Sequence, residues 1–121
     1  VLHEHGFGQD VQTYLTRTKA VPRSSNSPAA ERPLVPVHLD SIEAERPFFV
    51  PDKITIVDDV LTMGRTSFAC AELLQAVCPD AEIRIFAMIR TQGLQDDIEK
   101  IVDPATGIIV GYPSGKTHRD P

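Results

Sequence analysis

Two adjacent carboxylates, Asp58 and Asp59, follow the β-branched run Ile54-Thr55-Ile56-Val57 and precede Val60-Leu61-Thr62-Met63-Gly64-Arg65-Thr66. Each part of this segment suggests chemistry. A short apolar strand that ends in acids delivers them to the carboxyl edge of a parallel sheet, where open α/β proteins hold ligands. A turn through a glycine between two threonines, leading into a helix, points backbone N–H groups outward with the helix's positive end behind them. That arrangement suits a phosphate, and the Thr62 and Thr66 hydroxyls add hydrogen bonds to its oxygens. The carboxylates would repel the phosphate, so they face a sugar's hydroxyl groups instead. The expected ligand carries a diol at one end and a phosphate at the other, and a ribose 5-phosphate fits.

The elements that must position these groups are legible on either side. The strand is expected over Ile54–Val57. A helix is expected to start at Thr66 or Ser67, both good caps, and to run to Val77 with the apolar stripe Cys70, Leu73, Leu74 and Val77. Pro79 ends it, and Ile83–Ile89 forms a second strand. Strand, crossover helix and strand make a βαβ unit whose strands are parallel neighbours. Before this unit, Pro22, Pro28, Pro33, Pro36 and Pro47 argue against long regular elements. Val11, Tyr14 and Leu15 have helical spacing, residues 22–32 read as a loop, and Leu34, Val35, Val37 and Leu39 read as an edge strand broken by Pro36. After the unit, a short helix is expected through Leu94, Ile98 and Ile101, then a turn at Asp103-Pro104 and a strand over residues 107–110. The tail from Ser114 reads as loose.

Composition sets the outer bounds. The chain has 121 residues, enough for one small domain. It divides into an irregular region over 1–50, a core over 51–112 and a tail over 113–121. With 12 basic and 17 acidic residues the net charge is −5, which argues against generic electrostatic binding to nucleic acid. No apolar run reaches membrane-spanning length. Cys70 and Cys78 read as reduced thiols in a cytoplasmic protein. His3 and His5 lack a third ligand for a metal, and His38 and His118 read as surface or loop histidines.

The segment Ile54–Thr66 resembles the loop with which type I phosphoribosyltransferases bind 5-phosphoribosyl-1-pyrophosphate (PRPP). The helix and strand that follow come in the family's order, and Ala81–Thr91 is similar to the next core strand of bacterial orphan and ComF-like members, including its terminal Arg90-Thr91. The resemblance implies an α/β fold: a parallel, Rossmann-like sheet with flanking helices, here truncated at its amino terminus. It implies that Asp58 and Asp59 hold the ribose 2′- and 3′-hydroxyls and that Thr62, Met63, Gly64, Arg65 and Thr66 hold the 5′-phosphate. It also implies Mg²⁺ bound through pyrophosphate and ribose oxygens, and displacement of pyrophosphate by a base nitrogen through an oxocarbenium-like transition state.

The implied partners are PRPP and an acceptor base, with self-association into a homodimer and no membrane or direct nucleic-acid contact. Met63 and Arg65 stand where the family favours small or hydroxyl residues; Arg65 either turns outward or adds a cation near the phosphate. The family's lid falls in the region before the motif, where Lys19, Arg23, Ser24 and Arg32 are positioned to close over pyrophosphate. Two functions therefore compete: phosphoribosyl transfer, and a non-catalytic PRPP-binding regulatory or competence-associated module. They differ in whether pyrophosphate is handled, because the family's first core strand and pyrophosphate loop are not legible ahead of the motif. A phosphorelay receiver domain, which also opens with a strand and paired acids, leaves the Thr62–Thr66 turn unexplained.

Overall fold

The central element is a parallel strand pair covered on one face by a helix. The computed structural model describes residues 2–22, 28, 31–91 and 103–120. In chain order it contains strand β1 (Leu15–Arg17), helix α1 (Val35–Leu39), β2 (Ile42–Ala44), β3 (Lys53–Leu61), α2 (Arg65–Val77), β4 (Glu82–Arg90), β5 (Ile108–Gly111) and β6 (Thr117–Asp120). Among the described residues no helix is long and apolar enough to cross a membrane.

β3 and β4 pair in parallel, with Ile54 opposite Ile83 and Val57 opposite Phe86, so the βαβ unit forms as its pattern requires. The chain is mixed α/β. Alternation along β3 sends Ile54 and Ile56 toward α2, where they meet Leu74, Cys78, Ala81 and Ile83 in the core. The opposite face carries Val57, Phe86 and Met88, all exposed. Cys70 and Cys78 are both free thiols, the first half-buried and the second buried.

Several local expectations are corrected. β3 does not stop at Val57 but continues through both aspartates to Leu61. Its ladder is extended by Val60 and Leu61, two aliphatics that pair with Ile89 and Arg90. Within the stretch at 34–39, Val35–Leu39 is a helix and not an edge strand. Pro36 lies in the first turn of α1, where a missing N–H costs nothing. Leu15 belongs to β1, which pairs antiparallel with β2, so the helical spacing of Val11, Tyr14 and Leu15 does not produce a helix. The tail is not loose, because β6 returns antiparallel on β5 with Thr117 opposite Gly111. The helix expected through Leu94, Ile98 and Ile101 lies outside the described residues.

Candidate functional site

The turn between β3 and α2 is built around Gly64. Its φ of 73° and ψ of 12° are left-handed, a conformation that glycine adopts without steric cost. A Cβ there would also stand 2.7 Å from Ile109 Cδ1. Gly64, and neither Thr66 nor Ser67, is the N-cap of α2; among the described residues no side chain caps the helix, and no acid occupies its first turn. The Phe68 N–H donates to the Gly64 carbonyl at 2.8 Å, which begins the helical ladder.

The C-terminal hairpin holds the turn from behind. The Thr117 hydroxyl donates to the Met63 carbonyl at 2.6 Å. Arg119 donates to the Leu61 carbonyl at 2.8 Å and also reaches the Thr91 carbonyl. Ile109 packs on Gly64, and a Cβ on Gly111 would collide with the Phe68 ring. The hairpin therefore presses on both the turn and the first turn of α2.

A cavity of about 370 Å³ opens in front of this turn. Seven residues singled out from the sequence border it together: Asp58, Asp59, Thr62, Met63, Gly64, Arg65 and Thr66. Lys19 is exposed and does not border it. Arg23 and Ser24 lie outside the described residues, while Arg32 is on the wall.

The two aspartates are held differently. Within a strand their side chains leave opposite faces. Asp58 is half-buried on the α2 side, and its Oδ2 accepts the Ser67 hydroxyl at 2.7 Å. Asp59 is exposed, and its Oδ1 accepts the N–H of the next residue, Val60, at 2.7 Å. The pair thus borders one cavity from two directions and is not a side-by-side clamp.

Arg65 borders the cavity and spends its hydrogen bonds on the loop ahead of α1. Its Nη1 donates to the Arg32 carbonyl at 2.8 Å and to the Pro33 carbonyl at 3.3 Å, which ties the loop ahead of α1 to the start of α2. Sequence reasoning missed His38, Arg17 and Ser67 on the same wall. His38 is not a surface histidine: it is 2% exposed on α1, with Nε2 3.3 Å from the Thr66 hydroxyl oxygen. Burial lowers its pKa below the ordinary histidine value, and the Arg17 and Arg65 guanidiniums push in the same direction. Arg17 donates to the Ser41 hydroxyl at 2.9 Å. The Cys70 thiol is pushed up, chiefly by burial and further by the Asp58 charge, against an opposing pull from Arg17.

Chemically, the cavity presents backbone and hydroxyl donors at one end, carboxylate acceptors beside them, and cationic side chains on the wall. Among the described residues no group of three or more His, Cys, Asp or Glu side chains converges on a metal position. No family model matches the chain, and no curated protein or solved structure does either.

Proposed function

We propose that this cavity binds the ribose 5-phosphate portion of PRPP and that the protein acts in phosphoribosyl transfer, with the fold of a type I phosphoribosyltransferase. One observation carries the reading: the turn with uncapped N–H groups at the start of α2 borders the same cavity as Asp58 and Asp59. A phosphate placed at the turn gains the helix's positive end and the Thr62 and Thr66 hydroxyls. The ribose then lies toward the acids, which accept hydrogen bonds from its hydroxyls.

In this chemistry charge builds on the ribose ring as pyrophosphate leaves, so holding the ring in place counts for more than a strong base. The donor chemistry suits Mg²⁺, which takes oxygen ligands and is commonly held by substrate phosphates with one or two carboxylates. It would enter on PRPP oxygens with Asp58 and Asp59 as the nearest acids.

The test is calorimetric titration of PRPP with Mg²⁺ into wild type and into Asp58→Asn, Asp59→Asn and the double variant. Each charged hydrogen bond lost weakens binding by about 1.5 to 3 kcal/mol. Asp59→Asn is the cleaner arm, because Asp58 also holds Ser67. Unchanged affinity in the double variant refutes the ribose placement. A pyrophosphate-release assay with candidate bases then separates the two functions: binding without release favours the regulatory module.

A further inference from the structure

The His38 imidazole is almost wholly buried, yet among the described residues only one of its nitrogens has a partner. Nε2 lies 3.3 Å from Thr66 Oγ1, and Nδ1 is buried with no hydrogen-bond partner among those residues. Three protonation states are open to the ring. With the proton on Nδ1, a buried N–H would be orphaned, which folded proteins rarely tolerate. An imidazolium would orphan the same N–H and add a buried charge near Arg17 and Arg65. With the proton on Nε2, the buried group without a partner is only an acceptor lone pair, and the N–H points at Thr66.

The backbone around the ring is fixed. The His38 carbonyl accepts both the N–H of Ser41 at 3.1 Å and its hydroxyl at 3.0 Å, and Arg17 holds that hydroxyl in turn. Thr66 Oγ1 makes no other hydrogen bond among the described residues. A hydroxyl that accepts from Nε2–H keeps its own proton for another acceptor, and Thr66 borders the cavity. We propose that His38 is a positioning residue that sets the Thr66 hydroxyl as a donor into the cavity, committing that corner to an anionic oxygen. This deepens the phosphate placement above and rests on it. A neutral His38 agrees with its lowered pKa. The 3.3 Å separation is long for this bond, as is common before a ligand draws such groups together.

Two measurements test it. Nitrogen-15 NMR of the wild-type protein at pH 7.5 reads the tautomer without any ligand, and the expected state is Nε2–H. A proton on Nδ1, or an imidazolium, overturns the proposal whatever the site binds. Calorimetric titration with ribose 5-phosphate then compares wild type, His38→Ala, His38→Gln, Thr66→Val and the double variant His38→Ala/Thr66→Val, each checked for a cooperative thermal transition. His38→Ala should weaken binding about tenfold. His38→Gln, whose side-chain amide can place an N–H near the position of Nε2, should recover most of that loss. In the Thr66→Val background, removing His38 should change affinity by less than about twofold, since a positioning residue acts only through its partner. An undiminished tenfold loss in that background overturns the proposal while leaving the phosphate site standing. If folded wild type binds no ribose 5-phosphate, the ligand reading falls and the donor role of Thr66 falls with it, even with the Nε2–H tautomer present.

Discussion

Gly64→Ala isolates the geometry on which the site depends. Two costs are built into that position. The left-handed backbone, at φ 73°, disfavours an L-residue by about 1–2 kcal/mol, offset by about 0.4–1 kcal/mol because alanine restricts the unfolded chain. The new Cβ would stand 2.7 Å from Ile109 Cδ1, the flexible end of a side chain. Moving that end off its rotamer costs about 0.5–1.5 kcal/mol. The net destabilisation is therefore about 0.5–3 kcal/mol, near the top of that range if Ile109 keeps its place. Urea denaturation gives the value directly, and an unchanged slope against denaturant shows that the change lies in the folded state. A cycle with Ile109→Ala separates the two costs. Truncating Ile109 removes the collision but not the backbone cost, so the variants should couple by about 0.5–1.5 kcal/mol. A Gly64→Ala protein within about 0.3 kcal/mol of wild type would refute the left-handed turn, and strict additivity in the cycle would refute the Ile109 contact.

Further outcomes follow from the same surroundings. Thr117→Val removes the donor to the Met63 carbonyl and should cost about 1–2 kcal/mol by denaturation while weakening ribose 5-phosphate binding, because the turn loses its rear support. His38 has a folded pKa below its unfolded value near 6.5, so at acid pH the unfolded chain binds more protons than the folded one. Its contribution is present above pH 6.5 and lost as pH falls through the lower folded value; denaturation midpoints from pH 7.5 to 4.5 should drop less steeply in His38→Gln than in wild type. Cys70, its thiol pushed up by burial, and the fully buried Cys78 should react with a disulfide reagent at pH 8 far more slowly in the native protein than in denaturant, where both titrate.

The central unit was legible because its information is local. Ile54–Val57, the stripe ending at Val77 and Ile83–Ile89 each carry their own periodicity, and a short crossover fixes the parallel pairing. The first fifty residues were not, because their elements have three to five residues and take their form from partners distant in sequence. Pro36 signals a broken strand and equally the first turn of a helix, and only packing on α2 selects the helix. The same packing buries His38, which no pattern in its neighbours announces. In the tail, Thr117-His118-Arg119-Asp120 has no apolar alternation to mark a strand; it pairs because β5 is beside it. For the site, the motif named the turn and the acids but not Arg17 and His38, which reach it through tertiary packing, nor the role of Ser67, the next residue along α2.

The hairpin behind the turn also dictates an order of assembly. The βαβ unit closes over contacts near in sequence, whereas the bonds from Thr117 to Met63 and from Arg119 to Leu61 span 54 and 58 residues. Loop-closure entropy rises with that separation, so such contacts form after the local ones. During synthesis the strand and helix that flank the turn can fold while residues 108–120 are still unmade, but the turn acquires its rear support only when they arrive. Completion of the turn is thus a late event on the folding path, and the hairpin, although its residues are not among those that border the cavity, acts as the turn's last catch.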